Sequence, residues 1–139
     1  MKKTIACLLI SAAALVITSC KKESVEIQCT GGTGGNLQVR IIPDYDGNPV
    51  MSTENSLVEA HVAFGKTEFP GAGNSNYNRK FKGKKNEPFV NCNSLKCGLF
   101  YFYVTYSDEL TGESYSGGIP LGTDQPEGTI ELKVPLFKN

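Results

Sequence analysis

The stretch Leu99-Phe100-Tyr101-Phe102-Tyr103-Val104-Thr105-Tyr106 decides the fold. Every residue in it is aromatic, β-branched or Leu, the types that pack best on a pleated strand. A period of two sends Phe100, Phe102, Val104 and Tyr106 toward a core and Leu99, Tyr101, Tyr103 and Thr105 to the opposite face. Tyrosines on that second face suit a partly covered surface, because each has an apolar ring and a polar tip.

Six further strands are expected around this one. Leu37, Val39 and Ile41 alternate with Gln38 and Arg40. In residues 57–64, Val58, Ala60, Val62 and Phe64 share one face, and Glu59 and His61 the other. Phe81 and Lys82 open a third strand, and Phe89-Val90-Asn91-Cys92 forms a fourth. Residues 115–121 form the sixth, bent at Gly117-Gly118 and Pro120. Ile130, Leu132, Val134 and Leu136 alternate in the seventh, whose Pro135 suits an edge. Turns are expected at residues 43–49, 93–98 and 107–112, with a long Gly-, Asn- and Pro-rich loop at 65–79. Apart from the N-terminal segment, no window supports an amphipathic helix of ten residues, so the crossovers of a parallel α/β fold are missing. The expected architecture is an all-β, seven-stranded Greek-key β-sandwich over residues 36–139.

The chain has 139 residues, a formal charge of zero and 40% apolar residues, enough for one domain with a buried core. Neutral charge argues against a nucleic-acid binder. A single His and the absence of a His/Cys cluster argue against a metal centre, and no cofactor is expected.

Residues 1–19 read as an export signal. Lys2 and Lys3 precede an apolar run over 5–17, interrupted only by Ser11 and too short to cross a bilayer. Ile17-Thr18-Ser19-Cys20 resembles the lipobox of bacterial lipoproteins. That resemblance implies lipidation of Cys20, cleavage before it and acylation of the new amino terminus. It also implies a membrane partner held through lipid and, with no Asp after Cys20, an outer-membrane location in the cell envelope. Loss of Lys2 and Lys3 from the 14 basic residues leaves 12 against 14 acidic ones, a net of −2. Residues 20–35, ending in Thr30-Gly31-Gly32-Thr33-Gly34-Gly35, are expected to be a flexible tether, with an edge strand at Val25 and Ile27 as the alternative for part of it.

Three cysteines follow Cys20, an odd number for an oxidising compartment. The bridge is expected between Cys92 and Cys97, which a four-residue spacer can join, with Cys29 to either one as the alternative.

Gly47-Asn48-Pro49-Val50, the run Phe64-Gly65-Lys66-Thr67-Glu68-Phe69-Pro70-Gly71 and Gly117-Gly118-Ile119-Pro120 together resemble small Gram-negative lipoproteins with a carboxypeptidase-regulatory-like, prealbumin-like β-sandwich. The resemblance covers roughly residues 36–136. It implies no enzyme, but an accessory or interaction domain of the envelope. The prealbumin-like hydroxyisourate hydrolases need several histidines and a Tyr-Arg-Gly-Ser terminus, whereas this chain has one His and ends Pro135-Leu136-Phe137-Lys138-Asn139.

Four sets of side chains merit attention as sites. Tyr101, Tyr103 and Tyr115 are candidates to stack on sugars, which makes carbohydrate binding the alternative function. Asp44 and Asp46 lie in a turn that lacks the spacing of an EF-hand. His61 beside Glu59 is expected on a polar, solvated face, and no Gly-x-Ser-x-Gly elbow accompanies it. Arg79, Lys80, Lys82, Lys84 and Lys85 form a basic edge whose ordinary role is to block edge-to-edge pairing, with lipid headgroups or acidic polysaccharide as the other candidates.

Overall fold

The computed structural model describes residues 29–139. Cys20, the export signal and the Val25–Ile27 alternation therefore lie outside the described residues. No α-helix occurs among those described, and nine strands form two sheets. In chain order they are β1 (Thr33–Tyr45), β2 (Asn48–Pro49), β3 (Ser56–Phe64), β4 (Arg79–Lys82), β5 (Val90–Leu95), β6 (Gly98–Asp108), β7 (Ser114–Thr123), β8 (Glu127–Pro135) and β9 (Phe137–Lys138). The five-stranded sheet runs β9-β7-β6-β3-β4, all antiparallel.

In the second sheet β1 pairs antiparallel with β5 and β2, and parallel with β8 from Asn36↔Glu127 to Asp44↔Pro135. The first strand of the domain thus lies between elements that follow it by tens of residues. β8 pairs only with β1, an edge position that tolerates Pro135. The β1–β2 hairpin turns on Asp46 and Gly47, with φ of 54° and 84°, the two positive values that a primed turn requires.

The inward faces meet in one core. Leu37, Val39 and Ile41 of β1 pack with Val58, Ala60 and Val62 of β3, Phe100, Phe102 and Val104 of β6, and Val134 of β8. Phe100 and Phe102 are wholly buried, each contributing about 1.5–3 kcal/mol by leaving water. The outward faces differ in character. Across β1, Arg40 Nε donates to the Asn91 side-chain oxygen at 3.2 Å, and the guanidinium lies 3.8 Å from Glu131 and stacks over Phe89. Across β6 the outward Tyr101 and Tyr103 carry aromatic side chains of the 65–79 loop.

Two expectations need correction. The sandwich begins before residue 36. The Gly31 N–H donates to the Cys97 carbonyl at 2.7 Å, and the Lys96 N–H donates to Gly32 at 2.8 Å. Gly31 and Gly98 have φ of 65° and 141°, and a Cβ on Gly98 would run into the Gly31 backbone. The glycines here allow two backbones to touch, a use of glycine distinct from flexibility.

The disulfide is the second correction. It joins Cys29 to Cys97, not Cys92 to Cys97, with Cα atoms 4.4 Å apart. Cys92 shares the inward parity of Val90 and is wholly buried in the core. Burial pushes its thiol up to about 12, Arg79 opposing weakly, so it is inert.

Peptide mapping under non-reducing conditions should recover Cys29 joined to Cys97, with Cys92 alkylated only after denaturation. Because the bridge closes a 68-residue separation, Cys29→Ser should lower stability in urea by about 2–4 kcal/mol. A Cys92–Cys97 peptide, or an unchanged urea midpoint, would contradict this assignment.

Candidate functional site

The outer face of the five-stranded sheet collects the chemically distinctive side chains. The β3–β6 register sets His61 opposite Tyr103 and Ala63 opposite Tyr101. The loop after β3 folds back over them. Phe64 N–H donates to the Asn78 side-chain oxygen at 2.8 Å, and Asn78 N–H donates to Val62 at 2.8 Å, which ties both ends of the loop to one strand. Inside the loop the Tyr77 hydroxyl donates to Gly71 at 2.7 Å.

The result is an aromatic cluster. The Tyr77 ring stacks on Tyr103 at 5.7 Å, and Phe69 lies 5.2 Å from Tyr103 and 6.1 Å from Tyr101. His61 meets Tyr77 at 5.6 Å and Tyr103 at 5.9 Å. Tyr101 in turn lies over Gly118, where any Cβ would strike its ring. Burial, then the neighbouring hydroxyls of Tyr103 and Tyr101, push Tyr77 up to about 12.

His61 is buried, against the expectation of a solvated face, because the loop covers that face. Desolvation pulls its pKa below the usual 6.5; Glu59 opposes this and Lys80 adds to it. Its Nε2 stands 3.9 Å from Glu59 Oε1, beyond hydrogen-bond reach, while Lys80 Nζ lies 3.7 Å from the other Glu59 oxygen. The Tyr77 and Tyr103 rings flank the imidazole, which borders a small recess together with Asn74, Asn78, Arg79 and Lys80.

The three candidate tyrosines do not form one face, which corrects the grouping. Tyr101 and Tyr103 point outward. Tyr115 pairs with Tyr106 on the inward side and stacks between Tyr106 at 5.3 Å and Tyr45 at 4.2 Å. Tyr101 is only 9% exposed, whereas Phe69 is 51% exposed. Phe69 stands in the run 64–71, but neither it nor Tyr77 could be given a partner from the sequence, since a loop has no period from which to infer one.

The remaining candidates have local roles. An Asp44 carboxylate oxygen accepts the Gly47 N–H at 3.2 Å and so caps the β1–β2 turn. No group of three metal-ligating side chains occurs among the described residues. Arg79, Lys80, Lys82, Lys84 and Lys85 are all exposed along and just beyond the β4 edge, where Arg79 covers the Phe81 ring. No protein-family model, curated protein or solved structure matches the chain.

The depressed His61 pKa has a thermodynamic consequence. The unfolded chain binds a proton near pH 6.5 that the folded chain resists, so stability is full above 6.5 and falls as pH drops through and below that value. Urea unfolding at pH 7.5 and 5.5 should show this loss, and His61→Gln should shrink it. Equal pH dependence in both proteins would place the titration elsewhere.

Proposed function

We propose that this chain is a lipid-anchored protein of a bacterial envelope whose sandwich serves as a non-enzymatic interaction or accessory domain. The observation that carries the reading is the Cys29–Cys97 disulfide, nine residues after the lipobox cysteine. Disulfides of this kind persist in oxidising, exported compartments, which agrees with the export signal read in residues 1–19. The packing of His61 between rings supports a binding role over catalysis, because no neighbouring group orients it as a base.

The finer fold reading, a prealbumin-like Greek-key sandwich, belongs to the same proposal. It draws support from seven strands of four or more residues in two sheets and from repeated crossings between the sheets at β2–β3, β4–β5, β5–β6, β7–β8 and β8–β9. The carbohydrate alternative draws less support. Tyr101 is covered, Tyr103 lies under Phe69 and Tyr77, and Tyr115 belongs to the opposite face.

In a Gram-negative host the wild-type chain should sediment with membranes and accumulate unprocessed in globomycin. Cys20→Ala should move it to the soluble fraction. A wild-type protein that stays soluble and yields no acylated Cys20 peptide by mass spectrometry would sink the anchoring reading.

A further inference from the structure

The described chain starts at Cys29, and the disulfide fixes that start at one end of the sandwich. Cys29, Gly98, Leu99 and Gly122 line one shallow recess there. Leu99 is 48% exposed on the outward face of β6. Tyr101, two residues along the same face, carries the half-exposed Phe69 ring at 6.1 Å. Leu99 and Phe69, with the covered Tyr101 ring between them on the same face, therefore make a short apolar stripe that begins where the chain enters the domain. Lys66 and Lys96 are exposed near this end, and so are Glu68 and Asp124, so the flanking charges balance. The other large exposed apolar side chains among the described residues, Leu110 and Phe137, lie toward the opposite end, in the β6–β7 loop and opposite Ser116.

We propose that this stripe is the surface the domain lays against the bilayer that holds Cys20. The inference rests on the lipid-anchoring reading. Eight residues separate Cys20 from Cys29, so the two lie at most about 30 Å apart. Strand β6, with 11 residues, is about 36 Å long. The stapled end thus never stands more than about 30 Å from the lipid anchor, whereas the far end can stand off by that reach plus the length of the strand. A tether free up to residue 35 would reach about 55 Å and let any face approach. Leu and aromatic side chains are the types that settle at the boundary between headgroups and acyl chains. The stripe supplies them at the end whose distance from the anchor the staple limits most tightly.

The chain has no Trp, which permits a direct test. Leu99→Trp, Phe69→Trp and Leu110→Trp each add one reporter at an exposed position of the full lipidated protein. Each variant is reconstituted into vesicles of phosphatidylethanolamine and phosphatidylglycerol with brominated acyl chains, which quench indole on contact. Positions 99 and 69 should be quenched at least twofold more than position 110. Equal quenching at the three positions, or none at 99 and 69, overturns the inference. Mass spectrometry of Cys20 in the same samples separates the two failures. An acylated chain without quenching removes the docking face and leaves anchoring intact; a chain without acyl groups removes both.

Discussion

Strand β1 is the element on which the second sheet depends. It is hydrogen-bonded to β5 on one side and to β8 on the other, and it carries Leu37, Val39 and Ile41 into the core. Without it β5 and β8 share no partner, and the inward faces of β3 and β6 lose the layer opposite them. The constraint reaches upstream as well. β1 can enter only beside the Cys97–Leu99 corner, where Gly31 meets Gly98 without side chains between them and the Cys29 disulfide holds the approach. The parallel β1–β8 pair then joins the first and last long strands, a pairing of high sequence separation whose loop-closure entropy must be offset by the contacts it makes.

The two outward faces show how one strand pattern serves two environments. Gln38, Arg40, Asn91 and Glu131 make a polar, solvated surface on the β1 side. On the β6 side the same alternation presents Leu99, Tyr101 and Tyr103, and the 65–79 loop supplies Phe69 and Tyr77 to cover most of them. Covering that face also buries His61 in neutral form. What remains open is the margin at Leu99 and Phe69, which lies beside the chain's point of entry.

The core was legible because period two is a local signal. Val58, Val62, Phe100, Phe102 and Val104 sit where alternation places them, and Pro135 marks an edge strand. The disulfide was harder to read, since a short spacer between Cys92 and Cys97 says nothing about which way each side chain points. The Val90–Cys92 alternation places Cys92 in the core, but parity alone does not choose between a core thiol and a bridge; the position of Cys29 beside Cys97 does. The Gly31–Gly35 run was ambiguous for a related reason. Glycine serves both loose chain and tight backbone contact, and only the position of Gly98 distinguishes them. The aromatic cluster was half legible: Tyr101 and Tyr103 had a predictable face, but the loop residues that cover them are aperiodic, and their partners are set by tertiary contact.

Function follows from this arrangement through geometry. A sandwich whose entry strand is stapled by a disulfide has a short free tether, and under the proposed anchoring a short tether limits how far the stapled end can stand from the lipid. The account therefore stands on the entry segment being folded onto the domain. Amide hydrogen exchange at Gly31 and Lys96 is the most direct measurement. These amides donate to Cys97 and Gly32 in the structure. The account predicts slow exchange at both in the oxidised protein and faster exchange once the disulfide is reduced. Exchange at unstructured-chain rates in the oxidised protein would contradict it.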